Sequence, residues 1–271
     1  MNTWFEVCDL RSLPIRVSAS HWRFVSAICI GVAALGGGCG FPPPTSMEAV
    51  PGTVPDFTAA KFANPTMIDN PYFTLPVGST RTYMSITDEG TERIVIGVLN
   101  DTREVMGVTC RVVRDRVFLD DVLIEDTHDW FAQDDIGNVW YMGEEVDNYN
   151  YDMDGGLIDI THEGAWEAGK DVAGLGTLAR PGYQMKAAPM PGDVYHQEYY
   201  PGEAEDMGEV IALTAPVTLA DGTEYQCLQT RDFSALDSGP GEFKYYAPGF
   251  GVILEESAEG GSRVELVSVE P

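Results

Sequence analysis

The feature that most constrains the fold is a repeat within the chain. Segments Gly107–Asp115 and Gly222–Asp232 both carry a glycine, then a cysteine, then an Arg-Asp pair. Such self-similarity indicates two tandem copies of one unit. Two separate β meanders that need the same turn residues are the alternative explanation. The equivalent residues lie 114 to 117 positions apart, at Gly78/Gly192, Cys110/Cys227, Trp130/Tyr245 and Gly137/Gly251.

Both copies have the residue pattern of β-strands. Short runs alternate between apolar and polar side chains, and Gly, Asn and Asp separate the runs. No long apolar pattern with the period of a helix occurs in residues 65–271. The sequence therefore predicts an all-β, antiparallel fold of two tandem β-meander repeats that form a barrel-like or sandwich body. The expected strands are Thr80–Ile86, Thr91–Leu99, Cys110–Leu119, Val122–Ala132, Asn138–Met142, Val194–Tyr200, Glu209–Leu213, Tyr225–Phe233, Glu242–Ala247, Gly251–Glu256 and Ser262–Val269.

The first residues have the features of a signal peptide, predicted at 1–38. Arginines precede an apolar run at residues 24–35, and small residues follow it. The run is too short for a comfortable membrane-spanning helix. The small residues that end at Cys39 resemble the lipobox of bacterial lipoproteins, whose cysteine carries the lipid, although Leu35 stands one position earlier than that pattern requires. Ordinary signal cleavage and an uncleaved anchor are the alternatives.

The predicted organisation places a tether and three further segments after the leader. Residues 39–64 hold the lipid-attachment cysteine and a Pro-rich tether, 65–150 the first repeat, 151–191 a connecting segment and 192–271 the second repeat. The connecting segment is rich in Gly and Pro, and it either links the repeats or packs across the opening of the body as a plug. We therefore expect an exported protein, lipid-anchored in the cell envelope, or a soluble periplasmic or extracellular one.

The net charge limits the partners of the chain. Asp and Glu number 43 against 16 Lys and Arg, which gives a formal charge of −27. Such a surface repels phosphate backbones, so the sequence predicts no nucleic-acid binding. A membrane reached through the lipid anchor, a lipid or small-molecule ligand, and cations remain as expected partners.

Two cysteines remain in the repeats. Cys110 and Cys227 occupy equivalent positions, and export would expose them to an oxidising compartment. A disulfide between them is one interpretation, and two separate buried thiols are the other.

Histidines and acids provide the candidates for a divalent metal, calcium or zinc, while no other cofactor is predicted. One candidate set joins three histidines to two acids without an HExxH or HxH motif. Histidines hydrogen-bonded to neighbouring acids would give the same pattern. The members of this set are His128, His162, His196, Asp126 and Glu198. Asn150, Asp152 and Asp154 match the first half of a calcium loop, although a plain hairpin turn explains them equally well.

The sequence gives weaker evidence for catalysis than for metal binding. So many acids make close carboxylate pairs inevitable, and neither a GxSxG motif nor a nucleophile with a histidine partner occurs. We therefore predict no catalytic residues and favour a protein that is not an enzyme.

Several motifs resemble those of known proteins. Lys244–Glu255 is similar to a strand-turn-strand motif of secreted bacterial β-proteins, which include half-barrels distantly related to the lipoprotein-sorting factor LolA. Asn70–Phe73, Asp129–Tyr141 and Gln197–Asp206 resemble segments of an uncharacterised family of bacterial lipoproteins. That resemblance spans most of residues 65–270 and implies no specific chemistry, while the LolA likeness covers short motifs only and would imply lipid carriage.

These observations favour an exported, lipid-anchored binding protein for a small apolar or lipid ligand or for a cation. The alternative is a metal- or carboxylate-dependent envelope hydrolase. A binder of apolar ligands would enclose a cavity on the order of several hundred cubic ångströms. A hydrolase would have a cleft where histidines and carboxylates of shifted pKa converge.

Overall fold

The computed structural model describes residues 52–237 and 239–271. The predicted signal peptide, Cys39 and the first part of the tether lie outside the described residues. Within them, no helix has both the length and the apolar character that crossing a membrane requires.

The described part of the chain is built from β-strands, with one turn of 3-10 helix at Phe57–Ala59. The expected all-β, antiparallel fold is confirmed. The strands are β1 (Asp69–Asn70), β2 (Phe73–Thr74), β3 (Thr80–Thr87), β4 (Gly90–Val105), β5 (Val108–Leu119), β6 (Val122–Gln133), β7 (Val139–Tyr151), β8 (Leu157–Thr161), β9 (Trp166–Glu167), β10 (Arg180–Met185), β11 (Val194–His196), β12 (Glu198–Tyr199), β13 (Asp206–Thr218), β14 (Glu224–Ser234), β15 (Glu242–Ala247), β16 (Gly251–Ser257) and β17 (Arg263–Glu270).

Thirteen of these strands form one nearly closed, barrel-shaped sheet. Their order is β11-β13-β14-β15-β16-β17-β3-β4-β5-β6-β7-β10-β12. The two ends of this path meet in one extended segment, residues 194–199, because β11 pairs with β13 while β12 pairs with β10. Of the two expected bodies, the structure has the barrel.

The two repeats have the same topology. In the first, β3 to β7 are consecutive antiparallel neighbours, and in the second β11 and β13 to β16 follow one another in the same way. Strand β17 then pairs with β3, which joins the second repeat to the first. The connecting segment between them is part of the sheet, since β8, β9 and β10 all pair with β7.

A glycine allows the barrel to close. A Cβ atom on Gly182 of β10 would lie 2.2 Å from the carbonyl oxygen of His196 and 2.4 Å from that of Gln197. Both contacts are with backbone, so a larger residue would push residues 194–199 away from β10. The close approach of these two segments therefore depends on the missing side chain.

A hairpin shows how local sequence sets the geometry of the first repeat. Asp134 begins the turn between β6 and β7, and its carboxylate accepts hydrogen bonds from the backbone N–H of Ile136 and Asn138. The same carboxylate accepts from the indole N–H of Trp140, at 2.9 Å. The short polar side chain thus closes the turn and orients a buried aromatic residue.

Candidate functional site

The inward face of the barrel carries acids at positions where apolar residues are usual. Cross-strand partners on β4, β5 and β6 share this face, because directly paired residues point to the same side of a sheet. Ile96 pairs with Asp115, and Val113 pairs with Asp129. Asp115 and Asp129 are only 6% and 3% exposed. The alternation that buries Val113 and Val117 therefore buries Asp115 between them.

Acids outnumber bases among the buried residues. In residues 52–237 and 239–271, twelve Asp and Glu residues are buried, against three Lys and Arg residues. Burying an ionised carboxylate is costly unless a cation or hydrogen-bond donors compensate it. The buried acids are Glu92, Asp115, Glu125, Asp126, Asp129, Asp134, Glu144, Glu167, Glu198, Asp206, Asp232 and Glu255, and the buried bases are Arg81, Arg111 and Lys244.

In the second repeat, several groups compensate the negative charge of the buried Asp232. The ammonium group of Lys244 lies 3.3 Å from a carboxylate oxygen of Asp232 and 3.0 Å from one of Glu242. Asp232 also accepts hydrogen bonds from the hydroxyl of Thr230, at 2.7 Å, and from the amide of Gln197, at 3.0 Å. These contacts form a compact polar network around one buried cation.

The first repeat leaves acceptors unused. The hydroxyl of Tyr141 donates to Asp129 at 3.0 Å, but Oδ1 of Asp115 is buried without a hydrogen-bond partner among the described residues. One carboxylate oxygen of Glu92 is likewise without a hydrogen-bond partner there, and so, in the second repeat, are both oxygens of Glu255, the residue opposite Lys244. Buried acceptors of this kind are rare in native proteins and call for an explanation.

The pKa values reflect this arrangement. Burial raises the pKa of Asp115 well above its usual range, and the nearby carboxylates of Glu125 and Glu255 raise it further. Burial and Asp115 do the same to the pKa of Asp129, which the hydrogen bond from Tyr141 lowers. The interior of the first repeat therefore favours the protonated form of these acids when nothing else neutralises them.

Lys244 shows the opposite balance. Burial on its own lowers the pKa of an ammonium group, yet Glu242, Asp232 and Glu255 raise that of Lys244 well above its usual value. The interior of the second repeat thus stabilises a positive charge in a buried position.

A small cavity lies at the acids of the first repeat. It has a volume of about 30 Å³, which is space for about two water-sized groups. Asp115, Asp129, Arg81, Tyr83 and Thr74 are the polar residues of a lining that is otherwise apolar. The guanidinium of Arg81 is directed at backbone, because it donates to the carbonyl oxygens of Thr74 and Phe250.

The histidines predicted to bind a metal do not converge. His128 lies on β6 opposite Arg114 and Glu145, and Nδ1 of His162 lies 3.0 Å from Asp147 in an exposed position. His196 is buried on β11, where its ring packs against that of Tyr199.

The remaining members of that set have other roles. Asp126 forms a two-point ion pair with Arg114, at 2.8 and 2.5 Å, while Glu198 lies on β12, buried at the closure of the barrel. Within the described residues, no three or more His, Cys, Asp or Glu side chains are placed to hold a metal ion. The structure therefore does not form the predicted metal site. Proximity to acids along the sequence was a poor guide, because His128 and His196 lie on strands that are not neighbours, β6 and β11, and His162 follows β8 in an exposed position.

The predicted calcium ligands form a hairpin instead. One oxygen of Asp152 accepts hydrogen bonds from the backbone N–H of Asp154 and Gly156, which closes the turn between β7 and β8. The amide of Asn150 donates to Asp159 across the same hairpin. These side chains serve the turn, as the hairpin alternative to the calcium prediction expects.

The two cysteines are separate. Cys110 on β5 and Cys227 on β14 are buried free thiols, so the structure lacks the predicted disulfide. Five strands lie between β5 and β14 in the sheet, namely β15, β16, β17, β3 and β4. Burial raises the pKa of both thiols, to about 12 for Cys110 and about 11 for Cys227, which is typical of inert core cysteines.

Sequence reasoning missed the acids of the barrel interior. A signal for them existed, because Asp115 falls on the apolar stripe of its strand, two residues from Val113 and two from Val117. A charged residue in register with apolar neighbours predicts a buried charge. Among so many acids, that register distinguishes Asp115 from those on the surface.

Comparison with known proteins gives no relative for this chain. No family model, no curated protein and no solved structure matches it.

Proposed function

We propose that this protein is an exported, lipid-anchored component of the cell envelope that binds a cation inside its barrel without catalysing a reaction. The observation that carries the proposal is the buried, hydrogen-bond-deficient carboxylate oxygen of Asp115 beside Asp129, at a cavity. A positive charge at that place would compensate both acids.

The size of the cavity supports a cation over a lipid. Sites for apolar ligands of drug size measure roughly 300–1,000 Å³. The cavity beside Asp115 has about 30 Å³, and its lining includes the buried aromatic side chains of Phe73, Tyr83 and Phe131. A small charged group fits these dimensions, whereas an acyl chain does not.

The same dimensions count against the hydrolase alternative at this place. Raised pKa values of Asp115 and Asp129 suit a general acid, but a sugar ring or peptide needs far more room than the cavity provides. Binding is therefore the function that the geometry supports best.

Export and lipid attachment rest on residues 1–39 of the sequence. Expression of the full chain in a bacterial host should give a membrane-associated product whose mass includes a lipid on Cys39. The Cys39→Ser variant should lose the lipid mass and move to the soluble fraction. An unmodified cysteine in the native product would refute the anchor.

The binding function is tested on dialysed protein by thermal unfolding. Chlorides of ammonium, alkylammonium, alkali and alkaline-earth cations are compared at constant ionic strength. A specific ligand at 100 times its dissociation constant would stabilise the native state by about 2.7 kcal/mol. At least one cation should raise the melting temperature saturably, and a melting temperature that no cation raises would overturn the proposal.

A further inference from the structure

The two repeats place different charges at one equivalent position. Asp129 on β6 lies directly opposite Glu144 on β7, while Lys244 on β15 lies directly opposite Glu255 on β16. On the opposite side of these strands, Asp129 pairs with Val113 on β5 and Lys244 pairs with Thr230 on β14. Asp129 and Lys244 therefore occupy the same place in the two halves of the barrel.

A second equivalence brings the neighbouring acid into the comparison. Asp115 and Asp232 follow Arg114 and Arg231 in the repeated segment, and both are buried on the inward face. In the second repeat an ammonium group lies 3.3 Å from this acid. In the first repeat two acids stand where the second has one acid and one lysine.

We propose that the cavity between Asp115 and Asp129 binds a primary ammonium group, which takes the place that the Lys244 side chain holds in the second repeat. The inference rests on the proposed cation-binding function and names its ligand class. Oδ1 of Asp115, a buried acceptor without a hydrogen-bond donor among the described residues, is the acceptor for this group.

The lining of the cavity favours an ammonium group over a bare metal ion. Alkali and alkaline-earth ions require a shell of about six or more oxygen ligands. The walls here are mostly carbon, from Phe73, Leu75, Ile96 and Phe131 among others. An ammonium group needs only a few acceptors for its N–H donors, and the carbon walls suit the alkyl group that it carries.

The cavity volume sets the size of the ligand. About 30 Å³ is space for a nitrogen and one further heavy atom, so methylammonium is the best-fitting small probe. Tetramethylammonium has the same charge, but it is larger and lacks N–H donors. Free ammonium and the end of a longer primary amine share the recognised chemistry, and probes of increasing chain length separate these two sources.

The experiment measures the shift in melting temperature of the full chain with ammonium, methylammonium, n-butylammonium, tetramethylammonium and potassium chlorides. We expect saturable stabilisation by primary ammonium ions and none by tetramethylammonium at equal ionic strength. Asp115→Asn should raise the apparent dissociation constant for methylammonium at least about tenfold, because a neutral amide replaces the charged acceptor of the ammonium N–H groups. The matched control Asp101→Asn changes an exposed Asp of the same repeat and should leave it unaltered.

A second variant supplies the charge from the protein itself. Asp129→Lys copies the residue of the second repeat into the first and should abolish stabilisation by methylammonium while the protein still folds. If primary ammonium ions bind no better than tetramethylammonium, or bind Asp115→Asn unchanged, this inference fails. In those cases, stabilisation by another cation would leave the proposed function standing, and stabilisation by none would overturn both.

Discussion

Asp115 and Asp232 show how one residue type acquires different surroundings at equivalent positions. Asp232 has a hydroxyl, an amide and an ammonium group within contact, whereas Asp115 has an oxygen without a hydrogen-bond donor among the described residues. The difference arises from Lys244 and Thr230, whose places in the first repeat are taken by Asp129 and Val113, and from the amide of Gln197. The loss of one ammonium group, one hydroxyl and one amide thus distinguishes the surroundings of Asp115 from those of Asp232.

Glu92 makes the stability of the protein depend on pH. Burial, together with the neighbouring charges of Glu125 and Glu89, raises the pKa of Glu92 to about 8 from an ordinary value of 4.5. The folded state holds this proton more tightly than the unfolded chain, so the contribution is fully present below pH 4.5 and is lost as pH rises through about 8. Glu92→Gln should therefore unfold less readily than the wild type at pH 9, with the advantage shrinking toward pH 5. Urea denaturation at several pH values measures this.

The neighbouring turn provides the control for this prediction. Asp88→Asn changes an exposed aspartate of that turn, four residues away, and should leave the pH profile of stability as it is. Parallel profiles for Glu92→Gln and the wild type would contradict a buried, protonated Glu92.

Among the buried cations, Lys244 should be the one whose substitution destabilises the protein most. Lys244→Met leaves the buried Asp232 and the half-buried Glu242 without their ammonium partner, and removal of one member of a buried ion pair costs about 3–5 kcal/mol. The exposed Lys170, which pairs with Glu167, provides the control, because Arg103 also pairs with Glu167 and surface ion pairs contribute little. Chemical denaturation of both variants should show a large loss of stability for the first alone.

At the scale of elements, the closure of the sheet depends on how near β10 comes to residues 194–199. Gly182→Ala places a Cβ against two backbone carbonyls and should destabilise the protein by about 2 kcal/mol, within the usual cost of overpacking. Gly97→Ala on β4 is the matched control, since a Cβ there meets no atom within 4 Å. Equal stability of the two variants in thermal unfolding would mean that β10 and this segment are not tightly apposed.

At the scale of the whole molecule, the two repeats are interlocked. Strand β17 of the second repeat completes the sheet beside β3 of the first, and β12 pairs with β10 of the connecting segment. Neither repeat can therefore satisfy its edge strands alone. We expect one cooperative unfolding transition for the full chain.

Tryptophan fluorescence tests this cooperativity. Trp130, Trp140 and Trp166 all precede the second repeat, so their fluorescence follows the first part of the barrel, while far-ultraviolet circular dichroism follows all strands. The two urea transitions should coincide, and a fragment of residues 192–271 should remain unfolded. Two separated transitions would show that the repeats fold independently.

The sequence alone determined the class of fold and the repeat, because alternation of side chains and the spacing of turns are local properties of each strand. Most predicted strands lie within observed ones, and the two cysteines are the buried thiols of the alternative interpretation. The sequence also contained the register that buries Asp115.

The tertiary structure decided which residues meet across the barrel. Strand order places five strands between Cys110 and Cys227 and puts His128 and His196 on strands that are not neighbours. Closure of the sheet brings acids from β4, β5, β6 and β16 into one interior. Contacts of this kind depend on the order of the strands and on the closure of the barrel. The spacing of residues along the chain does not predict them.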